Sequence, residues 1–91
     1  MKYVVFYEST ENVAAKAPLH MEVHSALIEE FAGRGELLLV GTFTDPQKDG
    51  AMCVFRTREG AEAFVARDPF VRKGVVKAWT LKEWKEILGG E

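Results

Sequence analysis

The sequence predicts an α+β domain with the element order β-α-β-β-α-β. Three observations carry that prediction. Four apolar runs, at residues 2–8, 36–43, 51–56 and 74–81, are rich in Val, Phe, Tyr and Leu. Such short runs, bounded by polar or turn-forming residues, read as strands. Two intervening stretches change to the helical period. Between the second and third runs lies Thr44-Asp45-Pro46-Gln47-Lys48-Asp49-Gly50, a dense set of turn formers that reads as a hairpin loop. Two right-handed crossovers around a central hairpin give a four-stranded antiparallel sheet with both helices on one face, the ferredoxin-like arrangement.

In chain order, Tyr3-Val4-Val5-Phe6-Tyr7 forms the first strand, and Glu8-Ser9-Thr10-Glu11-Asn12 ends it. The first helix is expected from about residue 17 to residue 33, with Pro18 in its first turn and Gly33 or Gly35 at its end. Val23, Leu27, Ile28 and Phe31 fall on one side of it, and Glu22, Ser25, Glu29 and Glu30 largely on the other. The second strand is Glu36-Leu37-Leu38-Leu39-Val40-Gly41-Thr42-Phe43, and the third is Ala51-Met52-Cys53-Val54-Phe55-Arg56. Thr57 is placed to cap a second helix whose apolar side carries Ala61, Phe64 and Val65. Asp68-Pro69 then makes a rigid corner: Asp accepts from free N–H groups, and Pro at the first helical position loses no bond. The fourth strand runs from Gly74 to about Leu81, and residues 82–88 read as a short tail of undefined type.

Length and composition bound the function. The 91 residues fit one domain, spanning residues 1–91. Twelve basic residues against 14 acidic ones leave a net charge of −2, which offers no electrostatic footprint for nucleic acid or an anionic membrane. No apolar run reaches membrane-spanning length. The apolar start is too short for a signal segment and lacks its small-residue cleavage site. The lone Cys53 cannot form an internal disulfide and suits a cytoplasmic protein.

The strands do not alternate as a sheet covered on one side should. Tyr3-Val4-Val5-Phe6-Tyr7, Leu37-Leu38-Leu39-Val40 and Met52-Cys53-Val54-Phe55 are apolar on both faces. Two helices cover one face only. A second copy of the chain is the simplest cover for the other, which predicts a homodimer through the sheet face, a dimeric α/β barrel. The alternative cover is the tail carrying Trp84 and Ile87, whose apolar content looks too small for four strands.

Two residues are candidates for chemistry. His24 shares its helical stripe with Leu27, Ile28 and Phe31. Spacing alone favours a core histidine with a backbone partner over a functional one. Asp68 is explained by capping, yet the same carboxylate can orient an imidazole and stabilise its protonated form. His20 lies one turn before His24, at metal-ligand spacing, but no third ligand or His-Glu-x-x-His pattern accompanies it, so no metal is expected. Cys53 reads as a core thiol rather than a nucleophile. Tyr7, Phe70 and Trp79 read as core or interface residues. Arg56, Arg58, Arg67, Arg72 and Lys73 read as solvated or interface charges, with Arg72 and Lys73 placed to draw an anion to the Asp68 corner.

Taken together, the strand at residues 4–7, His24 in the first helix, Gly35-Glu36-Leu37-Leu38 leading to Gly41, and Asp68-Pro69-Phe70-Val71 followed by Gly74-Val75-Val76 resemble the YciI-like (YCII-related) domain family. The resemblance covers nearly the whole chain. Where many members carry Arg and often Pro shortly before the histidine, this chain has Met21-Glu22-Val23, and Thr42 stands where many have Pro. The resemblance implies a ferredoxin-like fold, a dimeric α/β barrel and a pocket with a His/Asp pair, here His24 and Asp68. A related member is a dehydrochlorinase of chloroaromatic degradation.

The combined expectation is a small cytoplasmic homodimer with a His24/Asp68 acid–base site. It would perform lyase- or isomerase-type chemistry, proton abstraction with elimination or migration, on a small organic substrate such as an aromatic compound, without a cofactor. The competing expectation is a non-catalytic dimeric ligand-binding or stress-associated module. The acid–base reading requires His24 and Asp68 to meet, directly or through one water, across the groove between the first helix and the start of the last strand.

Overall fold

Along β1 (Lys2–Ser9), Tyr3, Val5 and Tyr7 point to one face, and Val4 and Phe6 to the other. In the computed structural model, which describes residues 1–89, β1 lies at the centre of a four-stranded antiparallel sheet. Its neighbours are β3 (Ala51–Phe55) on one side and β4 (Val76–Trp84) on the other, and β2 (Leu37–Thr42) pairs with β3 at the far edge. The strand order β2-β3-β1-β4 is that of the ferredoxin-like arrangement. Because β1 and β4 are neighbours, the corner that feeds β4 lies close to the side chains of β1.

The helices are α1 (Val13–Lys16), a 3-10 turn (Ala17–His20), α2 (Met21–Gly33), α3 (Pro46–Asp49), α4 (Arg58–Arg67) and α5 (Pro69–Arg72). Leu27 and Phe31 of α2 and Ala61, Phe64 and Val65 of α4 pack on Val5, Tyr7, Leu37, Cys53, Phe55 and Val76 of the sheet. Phe64 anchors this core, edge-on to Phe31 and tilted against Phe55, each with ring centroids 5.3 Å apart. Both helices therefore cover one face. Thr57 caps α4 by accepting from the Gly60 N–H at 2.9 Å, and its hydroxyl also donates to Glu36 at 3.0 Å. Gly50 ends the β2–β3 connection at φ +76°, and a Cβ there would overlap the Tyr7 carbonyl. Only glycine satisfies both demands.

Four details depart from the sequence expectation. The first helical stretch is not continuous from residue 17. It breaks into α1, the 3-10 turn around Pro18 and α2, because Pro18 has no N–H for a continuing helix. Val23 is 63% exposed, so the inward stripe of α2 is His24, Leu27, Ile28 and Phe31 without it. The turn-rich stretch after β2 contains α3, capped by the Asp45 side chain on the Lys48 N–H. Residues 82–84 continue β4 to a pairing of Trp84 with Lys2. Trp84 therefore lies on the uncovered face as part of the sheet, while Ile87 and Leu88 stand in solvent and do not cover it.

Candidate active site

Asp68 follows directly on α4 and takes an extended conformation, φ −68° and ψ 119°, as a residue before proline prefers. Its backbone ends one helix and its side chain begins the next. The Asp68 N–H donates to Phe64 O at 2.9 Å, and Asp68 Oδ1 accepts from the Phe70 N–H at 3.0 Å, capping α5. The side chain is completely buried. Two further groups complete its shell. His24 Nδ1 lies 2.8 Å from Oδ1, and the Tyr7 hydroxyl donates to Oδ2 at 2.6 Å.

The sequence-predicted pair is thus in direct contact across 44 positions of chain. Three elements bring it together: α2 supplies His24, the α4–α5 corner supplies Asp68, and β1 supplies Tyr7. Phe70, the second residue of α5, stacks on the His24 ring with centroids 3.7 Å apart and planes 5° from parallel. A bidentate pair, Arg67 Nη1 and Nη2 each 2.9 Å from the Glu30 carboxylate, ties α4 to α2 on the solvent side.

Hydrogen-bond logic assigns the tautomer. A carboxylate only accepts, so the His24 nitrogen facing it carries the proton. Nε2 then keeps its lone pair, and no protein partner takes it among the described residues. His24 retains 12% side-chain exposure, against none for Asp68. The arrangement can accept a proton at Nε2 while a buried carboxylate compensates the imidazolium that forms.

The charge of Asp68 is felt by its neighbours. Tyr7 is held far above the ordinary tyrosine range, first by burial and then by the Asp68 charge, so its hydroxyl stays a donor. Cys53 is pushed up to about 12, again by burial first and then by Asp68. A buried thiol of that kind supports the core reading of Cys53.

Tyr7 is the residue that sequence reasoning missed. Its position in an apolar strand suggests core, and it is core, but its hydroxyl completes the Asp68 shell. The available signal was period two: Tyr7 shares a face with Val5, and a buried Tyr O–H needs a partner. The Tyr7→Phe variant should lose about 2 kcal/mol of stability, because it leaves Oδ2 of a buried carboxylate without its donor. Chemical denaturation measures this, and an unchanged midpoint would show that the bond contributes nothing.

A cavity of about 350 Å³ opens beside the Tyr7–Asp68–His24 cluster. Tyr7 and Phe70 line it, whereas His24 and Asp68 do not. Its lining also includes Ala17 of the 3-10 turn, Met21 at the start of α2, Val75 just before β4 and Val76 at its start. Arg72 and Lys73 are exposed and do not line it, and Trp79 stands half-exposed on β4. His20 closes the 3-10 turn, and among the described residues no three His, Cys, Asp or Glu side chains converge around it or elsewhere. No helix among the described residues is long and apolar enough to cross a membrane.

Residues 1–85 match the YCII-related domain family. The fold is similar to that of a 5-chloro-2-hydroxyhydroquinone dehydrochlorinase, TftG, from Burkholderia phenoliruptrix AC1100, solved in complex with 2,5-dihydroxybenzoquinone. The TM-score is 0.72 over 93% of this chain and 94% of that one, at 19% sequence identity. No curated protein sequence matches the chain.

Proposed function

The chain belongs to the YCII-related domain family, and from that premise we propose that it is a small-molecule enzyme in which His24 is the general base and Asp68 orients it. The observation that carries this reading is the His24–Asp68 contact of 2.8 Å onto a carboxylate with no solvent exposure. Nε2 would remove a proton from the substrate. The electron pair left behind would form a new double bond as a leaving group departs with its own pair, or the proton would return at another carbon. The first course is a lyase reaction and the second an isomerisation, and both use only side chains of the protein. A general base of this kind contributes about 10²–10⁴-fold in rate.

The similar structure suggests the probe. Incubation with 5-chloro-2-hydroxyhydroquinone should release chloride, and His24→Gln should slow that release by about 10²-fold or more. Equal release by the two proteins would remove His24 from the chemistry. A second reading has its own observation in support. The cavity touches Tyr7 and Phe70 but not His24, as suits a module that binds without turnover. Saturable binding of 5-chloro-2-hydroxyhydroquinone with no chloride release would favour that module. In either case the working unit would be a homodimer formed through the open sheet face, and the buried thiol of Cys53 fits a reducing, cytoplasmic setting.

A further inference from the structure

We propose that the cavity beside Tyr7 is a binding site for an uncharged, largely apolar ring compound, and that it discriminates against charged compounds of the same shape. The inference rests on the small-molecule reading above and narrows its ligand. The volume of about 350 Å³ falls in the range of small-ligand pockets, roughly 300–1,000 Å³. Val13, Ala14, Ala17 and Met21 form one wall, and Val75 and Val76 lie at the foot of β4. Tyr7 and Phe70 add aromatic surface. These are the contacts a planar apolar ligand needs.

The polar side chains of the lining are mostly committed elsewhere. Ser9 donates to Pro46 O at 2.6 Å. Gln47 donates to Thr10 O at 2.8 Å and accepts from the Val13 N–H at 2.9 Å. Asp45 caps α3, and the Tyr7 hydroxyl proton goes to Asp68. The Thr42 hydroxyl is the remaining polar group, and it is uncharged.

Charge decides the selectivity. Among the described residues no Lys, Arg or His lines the cavity. An anion would enter without a counter-charge, toward Asp45 at the lining and Asp68 just behind Tyr7. A cation would give up water against alkyl walls, and the one carboxylate of the lining, Asp45, is exposed and already hydrogen-bonded. Burying an unpaired charge of either sign is unfavourable. A neutral ring loses little hydration and gains the apolar contacts.

Three near-isosteric single-ring compounds test this: benzamide, benzoate and benzylamine, titrated at neutral pH into protein with labelled methyl groups. Benzamide should shift the Met21, Ala14, Ala17 and Val75 methyls and saturate, with both charged compounds at least about tenfold weaker. Benzoate or benzylamine binding as tightly as benzamide overturns the proposal, as does benzamide that leaves these methyls unmoved. Thr42→Lys, at an exposed strand end, should raise benzoate affinity by about tenfold or more, and an unchanged benzoate affinity in that variant counts against it. None of these readouts needs turnover. A failure here leaves the His24 chloride-release test standing, and a failure there leaves these affinities standing.

Discussion

Replacing Asp68 by alanine should cost about 3–5 kcal/mol of stability, while Asp68→Asn should cost less than about 2 kcal/mol. The asymmetry comes from what each variant leaves behind. Asp68 has no solvent exposure and accepts from three donors: the Tyr7 hydroxyl, His24 Nδ1–H and the Phe70 N–H. Alanine orphans all three inside the core, at about 1–3 kcal/mol for each unsatisfied group, partly relieved at the slightly exposed His24. It also removes the cap of α5. Asparagine keeps one acceptor for the Phe70 and His24 donors, and its amide N–H can face the Tyr7 oxygen once the hydroxyl turns round. For a domain of this length the alanine variant should melt about 15 °C or more below the parent. Circular dichroism melts of the three proteins decide it, and an alanine variant within about 1 kcal/mol of the parent would mean the buried network is not held as described. The asparagine variant then becomes the tool for function, since it removes the charge beside His24 and keeps the corner.

Much of this site was legible in the sequence. Asp before Pro fixed where a carboxylate would sit, because capping and the restriction before proline act locally. His24 shares its stripe with Leu27, Ile28 and Phe31, so its inward direction followed from the helical period. The pairing of the two required the β1–β4 adjacency, which followed from the element order. Val23 was misplaced because a stripe can be read two ways near the start of a helix, and Pro18 moved that start to Met21. Tyr7 escaped notice because its hydroxyl partner is 61 positions away. A strand position reveals which face a tyrosine takes but not which polar atom awaits it there. The cavity was not legible at all, since its walls come from α1, the 3-10 turn, the start of α2, α3, α5 and all four strands, whose closeness is purely tertiary.

A charge at Leu39 should break the proposed dimer while leaving the fold intact. Leu39 is 67% exposed and sits opposite Val54, which pairs with Val4. These three, with Phe6 and Met52, share the face turned away from Val5, Cys53 and Phe55 of the core. The strands are apolar on that face although no helix lies over it. Lys82, with its ammonium 5.5 Å from the centre of the Phe6 ring, and the half-exposed Trp84 give only partial cover. In a two-fold interface each substitution counts twice. Losing the burial of one leucine per copy, about 1.5–3 kcal/mol, should weaken association by about 3–6 kcal/mol, or roughly 10²–10⁴-fold. Sedimentation at micromolar concentration should then show a dimer for the parent and a monomer for Leu39→Asp, with similar circular dichroism spectra. Two further variants calibrate the result. Val5→Asp should unfold the chain, because Val5 is wholly inside the core. Val23→Asp should leave the dimer unchanged, because Val23 is exposed on α2, away from the sheet face. Dissociation by Val23→Asp with Leu39→Asp still dimeric would move the interface to the helical side and refute assembly through the sheet.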